Sequence, residues 1–437
     1  MRKTFILILS FLAWQLAAQD FNKTKLDSLF MLIDQHKKGM GSISIFNKGQ
    51  EVYANTFGYA DYEKKLEADR DTKYRIGSIS KTFTAAIIMQ MKDEGLIGLD
   101  QKLSVFYPEM PNAEKISIEN LLRHRSGLVN FTSEEDYTDW MEVPKTKDEL
   151  LEVFNANGTI FEPGAKFEYS NTNYVLLSFI AEDIDSKAYA EILHDRIVEP
   201  LDLNNTYFGA EINTDNNEAR SYAYMGSWVR GTETDMSIPL GAGGVVSTPE
   251  DLNSFQLALH RGEVVSDSSL KEMKTLKDGY GIGMFVTPFY EFKGFGHTGG
   301  IDGFHSVSSC FPSENVAISY CSNAEVMPLN DILIGALSIY FGKDYELPEF
   351  KTLDLSADEL EKYPGTYSSE SFPLKVTISR EDNKLFGQAT GQPSFPLEAY
   401  EQDKFRFDQA GLRLEFIPSE NKMILKQAGQ VFELIRE

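Results

Sequence analysis

Cysteine is nearly absent: the 437 residues contain two, Cys310 and Cys321. So few thiols exclude a disulfide-stapled scaffold and a cysteine-rich metal site. The pair flanks a hairpin pattern, SVSSCFPSENVAISYCSN, with its turn near Pro312 to Asn315. Folding about that turn sets Cys310 opposite about residue 317 rather than Cys321. Both thiols are therefore expected free and buried. Histidine is also scarce, at 36, 124, 194, 260, 297 and 305 only, and no two stand at metal-ligand spacing. No metal and no cofactor are expected. Long apolar runs are missing after the N-terminus, which excludes a membrane span in a mature chain. Positive charge is in deficit, with 42 Lys and Arg against 66 Asp and Glu and a formal net charge of −24. Such a surface repels nucleic acid and anionic membranes. No phosphate loop or dinucleotide fingerprint appears where a strand precedes a helix.

What is present is globular: 42% hydrophobic, 25% charged and 12% aromatic residues. The chain opens MRKTFILILSFLAWQLAAQD, with a basic start, a short apolar run and Ala17-Ala18. That pattern predicts a cleaved export signal over 1–18 and a secreted or periplasmic protein. Apolar spacing predicts helices at 27–36 and 78–94. Further helices follow at 117–124, 147–155, 173–185, 188–196, 250–260, 268–275 and 328–341. Alternation predicts strands at 42–45, 51–53, 280–286, 303–311 and 315–322.

Strands near both ends of a segment, with helices between, predict an α/β (α+β) domain over 19–345. Its sheet would be closed by distant pieces, with a helical part beside it. Residues 346–358 read as a linker, and 359–437 as a small all-β barrel or sandwich.

Three short motifs carry chemistry. In RIGSISKTF, Ser78 and Lys81 stand three apart and share a helix face, whereas Ser80 and Lys81 do not. A lysine whose charge is disfavoured by burial can take a serine proton. Ser-x-x-Lys recurs at Ser268/Lys271 and Ser419/Lys422, so spacing alone selects none of the three. In FEYSNTNY, Tyr169 and Asn171 set a phenol and an amide on a turn entering a helix. A second Tyr-x-Asn, Tyr53 to Asn55, falls in a strand and reads as packing. In GHTGG, His297, Thr298, Gly299 and Gly300 offer a ring, a hydroxyl and closely approaching backbone N–H groups. Tyr222, Tyr224 and Trp228 stand in a loop-like stretch and read as satellite packing more readily than as a cleft wall.

The order Ser-x-x-Lys, Tyr-x-Asn, His-Thr-Gly resembles that of the β-lactamase-related serine hydrolases. LLRHRSGL (121–128) and GAGGVVSTPEDLNSF (241–255) agree with it. The tail, starting YPGTY, is similar to the lipocalin-like β domains appended to such enzymes. The resemblance implies an antiparallel sheet flanked by helices and acylation of Ser78 assisted by Lys81. It also implies Tyr169 as general base, Asn171 as a substrate contact, and an oxyanion hole from the Ser78 and Gly300 N–H groups. Where class C β-lactamases and many penicillin-binding proteins carry Lys-Thr-Gly, this chain has His297-Thr298-Gly299, a form familiar in esterase and peptidase members of the family. Lysine there is a permanent cation suited to a substrate carboxylate, and histidine is not.

The expected activity is therefore hydrolysis of a small-molecule or peptide ester or amide, with D-amino-acid derivatives included. The alternatives are a β-lactamase or D,D-carboxypeptidase and, in another class, a non-catalytic ligand-binding protein. His124 reads as a structural hydrogen-bonder. Cleft walls are expected from 130–145 and 205–240. Oligomeric state is left open by the sequence.

Overall fold

The Ser-Ile-Ser-Ile alternation forms strand β1 (Gly39–Asn47), and its partners come from both ends of the chain. The computed structural model describes residues 21–427 and 430–437, so the export-signal reading of 1–18 lies outside the described residues. β1 turns at Lys48-Gly49 into β2 (Gln50–Phe57), and Gly49 supplies the positive φ of +87° that this turn needs. The short strands β3 (Tyr222–Tyr224) and β4 (Trp228–Arg230) form a hairpin. β5 (Phe285–Phe289), β6 (Phe292–Ile301), β7 (Phe304–Phe311) and β8 (Val316–Glu325) follow. The sheet runs β5-β6-β7-β8-β1-β2, with β3 joining β8 in parallel.

One face is covered by α1 (Lys23–Gln35), whose Asn22 cap accepts from the Lys25 N–H. Leu26, Leu29, Phe30 and Ile33 recur at helical spacing and pack against Ile43, Ile45 and Ile318. The expected apolar helix near 328–341 is α7 (Leu329–Tyr340), on the same core. The opposite face carries buried serines, Ser42, Ser44, Ser306, Ser308 and Ser319, beside Phe46, Cys310 and Ala317. α5 (Pro249–His260) covers this face at Ser44 and Ser319, its Asn253 donating to the Ser44 carbonyl at 2.9 Å and accepting from Ser319 Oγ at 2.8 Å.

The middle of the chain builds the largest core. It includes α2 (Ser80–Asp93), α3 (Lys147–Asn157) and α4 (Asn171–Asp185), with α6 (Asp267–Lys274) beside them. Every α2 residue from Ser80 to Met89 is buried.

Residues 343–356 carry no regular structure, and eight strands from Gly365 to Arg436 close into a barrel. Gly365–Ser369 pairs with Gln430–Arg436 to complete it. Leu355 already belongs to the barrel core, with Leu360, Phe405 and Leu414.

Two expectations shift. The strand expected at 280–286 forms at Phe285–Phe289, because Gly281 turns back to the Met284 carbonyl. The loop-like 222–228 stretch is a hairpin, and Tyr222 and Trp228 pack as a satellite core with Met40 and Ala324. Cys310 and Cys321 are free and buried, facing Ala317 and Ser306 across the ladders. Among the described residues no helix is long and apolar enough to cross a membrane.

Candidate active site

Gly77 has φ +50°, which L side chains adopt at a cost, and it opens the one-turn 3₁₀ segment Gly77–Ile79 that leads into α2. Ser78 and Lys81 follow on one face. Ser80 turns away, its Oγ accepting the Val245 N–H at 3.0 Å. Lys81 is fully buried and donates to Ser78 Oγ at 2.9 Å, Asn171 Oδ1 at 2.7 Å and the Ala242 carbonyl at 2.7 Å. Burial pushes its pKa well below the ordinary lysine value. Three acceptors suit the ammonium, whereas the absence of a facing carboxylate favours the amine.

Tyr169 reaches Ser78 from the other side. Burial raises its pKa and the hydrogen bond with Ser78 opposes that, so the resting group is a phenol. Lys81 Nζ stands 4.9 Å from the Tyr169 ring centre. Asn171, at the start of α4, also donates to Thr132 Oγ1 at 2.9 Å.

β6 runs past Ser78 at close range. A Cβ added to Gly299 would come 1.9 Å from the Ile76 carbonyl oxygen, and one on Gly77 2.8 Å from the Gly300 nitrogen. Only glycines allow this approach, which sets the Gly300 N–H beside Ser78. Thr298 is exposed on the strand. His297 is not in the cleft. Its ring is buried, with Nδ1 toward the Thr298 carbonyl and Nε2 3.2 Å from the Tyr280 hydroxyl. The first contact fixes Nδ1–H as donor, so Nε2 accepts from Tyr280. Burial and the nearby Lys81 push its pKa to about 3, so it brings no positive charge at neutral pH.

The cleft holds about 280 Å³. Ser78, Asn171 and Gly300 open into it, and Phe131, Tyr137 and Ile301 are among its walls. Both expected wall segments contribute, 130–145 through Thr132 and Met141 and 205–240 through Thr232 and Pro239. None of its lining residues is Lys or Arg. Its one carboxylate, Asp302, is spent on Arg75 at 3.0 Å and on Thr234 Oγ1 at 2.7 Å. No barrel residue lines it.

Sequence reasoning missed the Ala242 carbonyl, whose donor-seeking atom is backbone. Its signal was the small-residue run Gly241 to Gly244, since a Cβ on Gly241 would meet Thr84 Oγ1 at 2.5 Å. Ser268 and Lys271 stand on α6, and Ser419 and Lys422 near a barrel turn, both remote from this constellation in the fold. His194, Asp195 and Glu199 cluster at the surface, with Asp195 already paired to Lys187.

The family profile described as Beta-lactamase matches residues 27–334. The chain belongs to this family. Penicillin-binding protein 4* of Bacillus subtilis is 26% identical over 95% of this chain and 99% of its own. The teichoic acid D-alanine hydrolase of Staphylococcus aureus is 27% identical over 57% of this chain and 62% of its own. The fold is shared with the octameric penicillin-binding protein homologue of Pyrococcus abyssi, at TM-score 0.67 and 27% identity over 94% of this chain and 99% of that one. The protein is thus a serine hydrolase of the beta-lactamase and penicillin-binding-protein family.

Proposed function

We propose that the protein is exported and hydrolyses esters or amides through an acyl-enzyme on Ser78, favouring acyl groups with no free carboxylate. The observation that carries this reading is the buried Lys81 amine, 2.9 Å from Ser78 Oγ and held by Asn171. Deprotonated Lys81 takes the Ser78 proton as Oγ bonds to the substrate carbonyl carbon. The Ser78 and Gly300 N–H groups receive the oxyanion. Collapse breaks the bond to the leaving group, which takes the Tyr169 proton. The tyrosinate then accepts a proton from the deacylating water. Expulsion of Ser78 Oγ, reprotonated by Lys81, restores the resting site. Tyr169 thus acts first as acid and second as base, in place of the initial base that the resemblance implies, because burial keeps its phenol protonated.

The substrate preference rests on the cleft. Without an unpaired cation, and with His297 neutral and turned inward, a carboxylate would enter undercompensated. D-Amino-acid esters and amides are the first class to test, given the D-alanine hydrolase among the relatives. Likeness to penicillin-binding protein 4* along nearly the whole chain favours a second reading, cell-wall D,D-peptide or β-lactam chemistry.

Intact-mass labelling with a fluorophosphonate separates the readings from a silent binder. Wild type should gain one adduct on Ser78, and Ser78→Ala none, with turnover down at least about 10³-fold. Faster turnover of D-aminoacyl esters and amides than of nitrocefin or D-alanyl-D-alanine peptides supports the first reading. The reverse ranking sinks it.

A further inference from the structure

His124 is fully buried, and its backbone sits at φ +53°, where few non-glycine residues go. Strain of this kind persists only where surrounding contacts fix it. The contacts converge on Tyr169. The His124 carbonyl accepts the Glu168 N–H at 2.9 Å. Its ring Nδ1 accepts the Ser170 N–H at 3.1 Å. The ring itself lies on the Tyr169 ring, with centres 4.2 Å apart and planes 30° apart. One residue therefore holds the Phe167–Glu168 peptide, the Tyr169–Ser170 peptide, and the face of the phenol between them.

A proton-carrying role does not fit this geometry. Nδ1 is an acceptor, so the ring proton resides on Nε2, which meets no hydrogen-bond partner among the described residues. Neither nitrogen reaches Ser78 or the cleft, and burial, with Lys81 and His297 nearby, keeps the ring neutral. A buried N–H without a partner is costly. An apolar ring would avoid that cost but would leave the Ser170 N–H unmatched.

The loop that follows completes the clamp. Ser126 Oγ donates to Asn173 Oδ1 at 2.6 Å, and Asn130 Oδ1 accepts the Asn171 N–H at 2.9 Å. The segment from 124 to 132 is thus laid along 168 to 173, one contact after another.

We propose that His124 is the positioning residue of Tyr169, clamping the Phe167–Glu168 and Tyr169–Ser170 peptides and the ring so that the phenol points at Ser78. This rests on the reading of Tyr169 as the proton-transfer group. Two variants divide the clamp. His124→Asn keeps an acceptor near the Nδ1 position and tolerates a left-handed backbone, but has no ring. His124→Phe keeps the ring and loses the acceptor.

The assay is steady-state turnover of an activated ester, with fluorophosphonate labelling rates and thermal midpoints for every variant, in wild-type and Tyr169→Phe backgrounds. The expected result for His124→Phe is kcat lower by about 10–100-fold with KM within about threefold, and partial recovery in His124→Asn. In the Tyr169→Phe background, His124→Phe should add almost nothing, because its effect passes through the missing hydroxyl. Wild-type kcat in His124→Phe overturns the proposal. So do equal losses in both variants that track a common fall in thermal midpoint, and so does an additive loss in the double variant. Full activity in Tyr169→Phe alone would instead overturn the proton-transfer reading on which this rests.

Discussion

His297 opens the His-Thr-Gly triplet of β6, and burial has removed its charge. Its folded pKa, about 3, lies below the ordinary value of 6.5. The unfolded chain therefore takes up a proton as pH falls through 6.5, whereas the folded protein refuses it until about pH 3. Stability falls through that window, by about 3 kcal/mol at pH 4 from this group alone. His297→Gln, which keeps an acceptor for Tyr280, should flatten the dependence of thermal midpoint on pH between 6.5 and 4. An unchanged slope would count against the buried neutral ring. That Ser78, Lys81 and Asn171 would come together was legible because three motifs in fixed order are rarer than any one of them. The direction of the His297 ring was not. Gly-His-Thr-Gly-Gly reads equally well with either face inward, and the Tyr280 hydroxyl that receives the ring is far from it in any sequence window.

At the level of elements, helices were legible and buried polar faces were not. Period and caps marked α3, where Thr146 and Glu149 form a reciprocal cap, and α5, where Thr248 and Pro249 start the helix. Ser-Ile-Ser-Ile, by contrast, reads as a strand with one wet face, yet both faces of β1 are buried. The serines are small enough for α5 to approach, and its Asn253 takes the Ser44 carbonyl and the Ser319 hydroxyl. Asn253→Ala should leave Ser319 and the Ser44 carbonyl short of partners, at a cost of about 1–3 kcal/mol. Chemical denaturation reads this as a lower midpoint at unchanged slope. Loss below about 0.5 kcal/mol would mean that water replaces the amide at no cost. The hairpin β3–β4 escaped the sequence reading because its strands are three residues each and their partner, Ala324, is remote.

At the scale of the molecule, barrel and catalytic part meet at a buried charge. Lys38, between α1 and β1, is 5% exposed and reaches Glu398 at 2.9 Å and Asp408 at 3.0 Å across the junction. Arg406 and Arg413 hold the same carboxylates from the barrel side. We propose that the junction, rather than residues 346–358, fixes the barrel's place. Lys38→Met should cost about 1–2 kcal/mol, since Asp408 and Glu398 lose one cation at the junction while Arg406 and Arg413 remain. Calorimetry should then resolve an earlier barrel transition, with turnover retained because no barrel residue lines the cleft. A single unshifted transition would place the attachment elsewhere.

The central pairing of the main sheet joins Gly39–Asn47 to Val316–Glu325, and Ser78, Lys81 and Tyr169 all lie between. Lys81 is a weak acid-holder only when packed away from water; in a loose chain it is an ordinary surface-like ammonium. An unfolded polypeptide would therefore carry a chemically silent serine. Reactivity needs the first and last strands of that sheet to have met, so it belongs to the folded protein alone.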